Sequence, residues 1–280
     1  MNFSSPHPPI AAVRAAVQAA LAEDLLPMGD ITSWLVPGDQ PAAGQLVARQ
    51  GGVFAGRLCV DVAAHEVDPA LVIAWSIDDG DAVDAGQVLA DIHGPLRSLL
   101  GAERTMLNFA SHLSGIATLT NAFVTAVHGR AKIRDTRKTT PGLRALEKAA
   151  VRAGGGMNHR GSLSEAILVK DNHLNASTIT EVVARSREMF IDRNIEIECD
   201  SLDQVREAVA AGADMVLLDN MSPADAAAAV ELVAGRIPTE VSGRVDLSTA
   251  ADYAAVGVDC ISVGAITHSA PILDIGLDFH

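Results

Sequence analysis

At 280 residues the chain exceeds one ordinary domain, and with 49% hydrophobic and 20% charged residues it is globular rather than disordered. A formal charge of −14 argues against nucleic acid and anionic membrane surfaces as partners, and no run approaches the ~18 uninterrupted apolar residues of a membrane helix. Cys59, Cys199 and Cys260 are far apart and odd in number, which argues against a disulfide framework or zinc knuckle and fits a reducing, cytoplasmic setting.

The opening MNFSSPHPPI lacks the charged start and apolar run of a signal peptide and reads as a short disordered lead-in. Ala11 to Leu26 has helical apolar spacing that ends near Pro27 and Gly29. Gly44–Arg49 and Gly52–Ala55 read as short strands and Leu58–Val67 as a helix. The stretch from Asp79 to Leu89 resembles a hairpin of the biotinyl or lipoyl carrier type. Such a carrier needs a lysine at its turn, and the first lysine of the chain is Lys132, so only the architecture is retained. Leu96 to Val127 supports one long helix, or two in succession interrupted near Gly115.

From residue 131 the rhythm becomes strand, loop, helix, repeated. The expected strands are Ala131–Asp135, Ala166–Lys170, Ile195–Cys199, Met215–Asp219, Thr239–Ser242 and Cys260–Val263. Helical patterns at Leu143–Ala153, Ser177–Phe190, Leu202–Ala211, Pro223–Ala234 and Ser248–Val256 lie between them. Such alternation implies a parallel sheet, and six units imply an incomplete, barrel-like α/β fold. The aliphatic core, with only six Phe, two Trp and one Tyr, suits that arrangement.

Polar residues close these apolar strands: Asp135-Thr136-Arg137-Lys138, Lys170-Asp171-Asn172-His173, Glu198, Asp219-Asn220, Ser242-Gly243 and Gly264. In parallel barrels the C-terminal rim collects the groups that act on ligand, so these converge on one mouth. One such residue alone is more often a loop cap, but six in register are hard to explain that way. The window 130–170 holds ten of the 21 Lys and Arg and only three acids, +7 against −21 for the remainder, the mark of a site for a small polyanion. Arg137, Lys138, Arg160 and Lys170, with His159, supply cations. Glu198 and Asp219 supply carboxylates suited to a hydrated Mg²⁺ or to ribose hydroxyls. Ser242-Gly243 and Gly264-Ala265 offer backbone N–H groups for phosphate. The set describes a sugar phosphate reacting with an organic acid.

Several longer segments add to this: Glu103-Arg104-Thr105-Met106-Leu107-Asn108, His112 to Thr118, Ile133 to Thr139, Gly154 to Arg160, Leu168 to His173, Leu217 to Asn220 and Ser262 to His268. With Glu23-Asp24-Leu25 and Gly29-Asp30-Ile31-Thr32, they make the chain, from about residue 15 to 278, resemble the quinolinate phosphoribosyltransferase family. The resemblance implies an N-terminal α/β sandwich over residues 1–115 and an incomplete six-stranded barrel over 116–269, with the tail 270–280 packing back on the sandwich. It implies Arg104, Arg137, Lys138, His159 and Arg160, with Thr136, around a pyridine dicarboxylate, which Arg can bind in bidentate fashion. Lys170 then lies near the phosphates and the reacting centre. Glu198 and Asp219 bind the ribose and Mg²⁺, directly or through water. Ser242, Gly243 and Arg244, with Val263, Gly264 and Ala265 and then His268, form phosphate loops. The implied substrates are quinolinate and phosphoribosyl pyrophosphate. The implied assembly is a homodimer in which Arg104 is donated across the interface.

The chain departs from the family pattern at two places. Arg244 stands where a second glycine is usual, so the loop is either reshaped with a guanidinium at a phosphate or carries a displaced, outward arginine. Gly161-Ser162 replaces a larger residue followed by glycine, which predicts a looser loop beside Arg160. Two rival readings use the same fold: a non-catalytic or molybdenum-transport-linked paralogue, and a nicotinate phosphoribosyltransferase. The cation cage together with Glu198 and Asp219 favours the dicarboxylate enzyme. Cys199, next to Glu198, should point away from it by strand alternation.

Overall fold

A computed structural model describes residues 7–174 and 177–280, so residues 1–6 of the expected lead-in lie outside the described residues. The chain opens with helix α1 (Ile10–Leu25), which buries Val13, Val17 and Leu21 at i, i+4 and i+8. A 3₁₀ turn, Ser33–Leu35, follows. Then come β1 (Pro41–Ala48), β2 (Gly52–Val53), α2 (Arg57–Val67), β3 (Val72–Trp75), β4 (Ala82–Val83), β5 (Val88–Pro95) and α3 (Leu96–Ala126). The repeating half holds β6 (Lys132–Arg134), α4 (Arg144–Ala153), β7 (Ile167–Val169), α5 (Ile179–Met189), β8 (Ile195–Cys199) and α6 (Leu202–Ala211). It continues with β9 (Met215–Asp219), α7 (Pro223–Val233), β10 (Thr239–Ser242), α8 (Ala250–Ala255), β11 (Cys260–Ser262), α9 (Ala265–His268) and β12 (Ile275–Phe279).

The chain divides into two compact units. The first comprises the chain up to Asn121 together with Thr139–Gly155 and Ile266–His280. Its main sheet is antiparallel in the order β12-β1-β5-β3, and β12 runs beside β1 with Gly44 opposite Phe279. β3 is not among the expected strands, and the tail 270–280, expected only to pack back on the sandwich, supplies strand β12.

The expected hairpin over 79–89 does not form. β4 pairs instead with β2, whereas β5 joins β1 and β3. The turn between them docks on the end of β1: the Gly86 N–H donates to Ala48 O (2.8 Å) and the Ala48 N–H to Gln87 O (3.0 Å). Nor is α3 interrupted at Gly115. A Cβ there would lie 2.0 Å from Pro271 O, so this glycine admits a crossing backbone rather than breaking the helix.

The second unit comprises Ala122–Lys138 and Gly156–Ala265. Its six strands are parallel in the order β6-β11-β10-β9-β8-β7. β6 and β7 are the two edges and do not pair with each other, so the barrel is incomplete. The helix between them in sequence, α4, groups with the first unit. Its Glu147, fully buried, accepts from the Thr140 N–H (3.1 Å) and contacts His112 Nε2 (3.0 Å).

Within the barrel, alternate residues divide cleanly. Ile133, Val169, Ile197, Val216, Leu218, Val241 and Ile261 are buried, and none of them lines the central cavity. Of the intervening residues, Leu168, Lys170, Glu198, Leu217, Asp219, Glu240, Ser242 and Ser262 line it. Cys199 is buried among the former, as alternation predicts, and burial pushes its thiol up to about 12.

Candidate active site

The strand ends surround one cavity of about 620 Å³. β6 contributes Thr136, Arg137 and Lys138, β7 contributes Lys170, and the loop after β6 and α4 contributes His159 and Arg160. β8 contributes Glu198, β9 Asp219 and Asn220, and β10 Ser242, Gly243 and Arg244. Residues that follow both edge strands reach the same cavity, which requires the sheet to curl. A volume of this size suits small-molecule substrates.

At the rim, Lys170 Nζ forms an ion pair with Glu198 Oε2. Asn220 Nδ2 donates to Asp219 Oδ2 (2.7 Å), and the Asn220 N–H donates to Ser242 O (2.9 Å), tying the ends of β9 and β10. Gly243 has φ +96°, and a Cβ there would meet Asn220 Oδ1 at 2.2 Å, so only glycine fits. Arg244 follows with φ +22°, a left-handed value that L side chains rarely adopt, and it is exposed while lining the cavity. The loop thus keeps its glycine-like bend and carries a guanidinium.

The loop bearing His159 and Arg160 is fastened along the open edge of β6. The Met157 N–H donates to Ile133 O (2.8 Å) and the Asp135 N–H to Met157 O (3.1 Å). Asp135, fully buried, accepts from the His159 N–H (2.8 Å) and from Asn158 Nδ2 (2.6 Å). Arg160 Nη1 donates to Ala166 O (2.8 Å) and the Gly161 N–H donates to Glu165 Oε2 (2.6 Å). The looseness expected from Gly161-Ser162 is offset by these bonds. Burial and the nearby Arg137 charge lower the Arg160 guanidinium below its ordinary value, against the pull of Glu196.

Two residues below the rim lies a second set of charges. Glu196 on β8 and Glu240 on β10 are buried, and both approach His159 Nε2, at 3.0 and 3.6 Å. Glu240 also pairs with Arg134 and accepts from Ser262 Oγ (2.5 Å). Burial, reinforced by the Glu196 charge, holds the Glu240 carboxyl above the usual carboxylate range, while Arg134 and His159 pull it down. Burial works against the Arg134 charge, yet Glu240 and Glu196 more than restore it, so its value stands above ordinary.

Glu240 and Ser262 line the cavity floor with Leu168 and Leu217, and none of the four is among the site residues expected from sequence. The signal was present. Given 198, 219 and 242 at the mouth, strand period two places 196, 217 and 240 on the same face, and a glutamate inside an apolar strand marks the position.

Other expected site residues lie elsewhere. Val263, Gly264 and Ala265 form the turn from β11 into α9 and do not line the cavity. His268 is exposed, with Nδ1 against Ser269 Oγ (2.6 Å). Arg104 is exposed on α3, in the first unit.

The rim donors suit Mg²⁺ by chemistry. Glu198, Asp219 and Asn220 present hard oxygen ligands without Cys or His, and Mg²⁺ ordinarily uses one or two carboxylates completed by water and substrate phosphates. The buried trio His159, Glu196 and Glu240, whose ligand atoms lie within 4.8 Å of one another, does not fit. His159 Nδ1 accepts the Arg160 N–H (2.7 Å), so the ring proton sits on Nε2, where a metal would have to bind.

Residues 30–114 match the N-terminal domain of quinolinate phosphoribosyl transferase, and residues 116–278 match its C-terminal domain. The chain belongs to the quinolinate phosphoribosyltransferase family. It is 45% identical over 278 residues to the nicotinate-nucleotide pyrophosphorylase [carboxylating] of Mycobacterium leprae, covering 95% of this chain and 97% of that protein. A probable nicotinate-nucleotide pyrophosphorylase [carboxylating] of Bacillus subtilis is 42% identical over 253 residues, covering 89% and 88%. The solved structure of the nicotinate-nucleotide pyrophosphorylase from Francisella tularensis superposes with a TM-score of 0.94 at 37% identity, covering 98% of each chain. The quinolinate phosphoribosyltransferase fold accounts for both the antiparallel sheet and the open barrel. Among the described residues no helix is long and apolar enough to cross a membrane.

Proposed function

We propose that the chain transfers the phosphoribosyl group of phosphoribosyl pyrophosphate to quinolinate with decarboxylation, giving nicotinate mononucleotide, pyrophosphate and CO₂, a step of NAD biosynthesis. The observation that carries this reading is one cavity lined by Arg137, Lys138 and Arg160 together with Glu198 and Asp219, and by Lys170 paired with Glu198. Three cations beside one ring suit two adjacent carboxylates, and the two acids suit a ribose. The family membership reported above supports the same reaction.

In this reading Arg137, Lys138 and Arg160, with Thr136 and His159 beside them, orient the dicarboxylate so that its ring nitrogen faces C1 of the ribose. The C1–O bond to pyrophosphate breaks with its electron pair leaving on oxygen, and the N–C1 bond forms. Lys170 Nζ, released from Glu198, meets the departing charge, while Glu198 and Asp219 hold the ribose and offset positive charge at C1. The ring nitrogen is now positive, so the electrons of the C2–carboxylate bond can remain at C2 as CO₂ departs, and C2 then takes a proton. Mg²⁺, held by Glu198 and Asp219, would neutralise pyrophosphate charge when bound. Ser242, Gly243 and Arg244 face phosphate oxygens, and Val263, Gly264, Ala265 and His268 supply the neighbouring turn. No covalent enzyme intermediate is required. The thiols of Cys59, Cys199 and Cys260 are pushed up to about 12, 12 and 11, chiefly by burial, and are poor nucleophiles.

We further propose a homodimer that works in the cytosol, with Arg104 reaching the partner's cavity. Leu26, Met28, Ile31, Trp34 and Leu35 are exposed apolar residues on the unit that carries exposed Arg104, and a second copy would cover them. The three free cysteines accord with a reducing compartment.

The test is nucleotide formation from quinolinate or nicotinate with phosphoribosyl pyrophosphate and Mg²⁺, followed by chromatography. Product from quinolinate alone supports the reading. Product from nicotinate alone replaces the acceptor, and a folded dimer inert with both acceptors returns the chain to the paralogue reading.

A further inference from the structure

The buried pair Glu196 and Glu240 has no role in the chemistry above, yet Glu240 lines the floor of the same cavity and Glu196 shares its contact with His159. Burying two carboxylates side by side is costly unless something fixed is gained. Neither acid reaches the rim, and the position of the His159 proton excludes a metal between them. Their shared contact is the His159 ring.

That ring is constrained on both sides. Nε2–H points down to Glu196 Oε2 (3.0 Å) and Glu240 Oε1 (3.6 Å). Nδ1 points up and accepts the backbone N–H of Arg160 (2.7 Å). Glu240 is itself fixed by Arg134 and by Ser262 Oγ, so strands β6, β10 and β11 all hold the acceptor side. Asp135 fixes the backbone on the other side through the His159 N–H (2.8 Å). The Glu196 charge also sustains that of Arg160.

We propose that Glu196 and Glu240 are positioning residues for the reaction: they hold the His159 ring from below and, through its Nδ1 and the Arg160 amide, aim Arg160 at a substrate carboxylate. His159 is then a strut between the floor and the cage rather than another cation in it. The proposal rests on the dicarboxylate reading above. It adds that selectivity for the acid, not affinity for the sugar phosphate, depends on two buried residues that act through the His159 ring.

The experiment is steady-state kinetics on the full-length protein carrying Glu196→Ala, Glu196→Gln, His159→Ala and the double variant Glu196→Ala with His159→Ala. Glu196→Ala should raise the KM for quinolinate about tenfold while the KM for phosphoribosyl pyrophosphate stays within about twofold. Glu196→Gln, whose amide oxygen can still accept the Nε2–H, should recover most of the loss. The double variant should be no worse than His159→Ala, because both remove one strut. Equal rises in both KM values, no rescue by glutamine, or additive losses would overturn the proposal. If Glu196→Ala does not fold, Glu196→Gln against Glu240→Gln decides. Both keep an acceptor oxygen, so a loss specific to phosphoribosyl pyrophosphate in either would contradict the proposal, and near-wild-type selectivity in both would support it. A wild-type protein inert with quinolinate would sink the underlying reading, whereas an active wild type whose Glu196→Ala and His159→Ala variants are unaltered sinks only this inference.

Discussion

The barrel carries two rings of polar side chains one strand pleat apart, and they behave differently. At the rim, Lys170, Glu198, Asp219 and Arg244 are partly or fully exposed and joined by few contacts. At the floor, Glu196 and Glu240 are buried and bound to Arg134, Ser262 and His159. The same strands supply both rings. A charge at the open end can exchange partners with a ligand, whereas a charge two residues deeper can only hold its neighbours.

The comparison can be broken most severely through Arg160. Arg160→Ala should lower kcat/KM for quinolinate by about a hundredfold or more with little change in the KM for phosphoribosyl pyrophosphate. An equal loss on both substrates would place Arg160 outside the cage. Next in size is Asp135→Ala, a change at a buried residue outside the cavity lining. It strips acceptors from the His159 amide and Asn158 and should cost about 2–3 kcal/mol in denaturant unfolding.

Asp219→Asn belongs to the rim and should leave stability almost intact. The KM for phosphoribosyl pyrophosphate should rise about tenfold, with a higher Mg²⁺ requirement. Arg244→Gly separates the two properties at one residue. Relief of the positive φ should stabilise the fold by about 1 kcal/mol in a thermal melt, while the KM for phosphoribosyl pyrophosphate rises severalfold. A stabilised variant with unchanged kinetics would make Arg244 an outward arginine.

The smallest effect serves as the control, at the far end of the strands. Asp214 accepts from the Ile195 N–H (2.7 Å) and pairs with Arg187 (2.7 Å). Partial burial raises its carboxyl, but these partners outweigh that and hold it below the usual carboxylate range. Its contribution to stability is therefore present at neutral pH and is lost as pH falls through the folded carboxyl's range. Asp214→Asn should cost about 0.5 kcal/mol at neutral pH, converge with the wild type on acidification, and leave turnover unchanged.

Much of this was legible in the chain. Ile195–Cys199, Met215–Asp219 and Thr239–Ser242 form strands at the expected bounds, because short segments with apolar residues between helical periods leave little alternative. The rim residues were legible because polar groups closing apolar strands are conspicuous. The floor was not, since Glu196 and Glu240 sit inside strands and gain meaning only when the sheet curls. The N-terminal sheet was the least legible. β3 and β12 are short, and β4 pairs with β2 rather than β5 while the turn after it docks on the distant Ala48, a contact that local patterns cannot convey. Gly115 looked like a helix break because its reason, the backbone of Pro271, is equally remote.

The most direct test of the whole account is the release of labelled CO₂ from carboxyl-labelled quinolinate, timed against pyrophosphate. If ring nitrogen must become positive before the C2 carboxylate departs, CO₂ and pyrophosphate should appear in equal amounts, and no CO₂ should form without phosphoribosyl pyrophosphate. CO₂ released from quinolinate alone, or pyrophosphate released without CO₂, would contradict it.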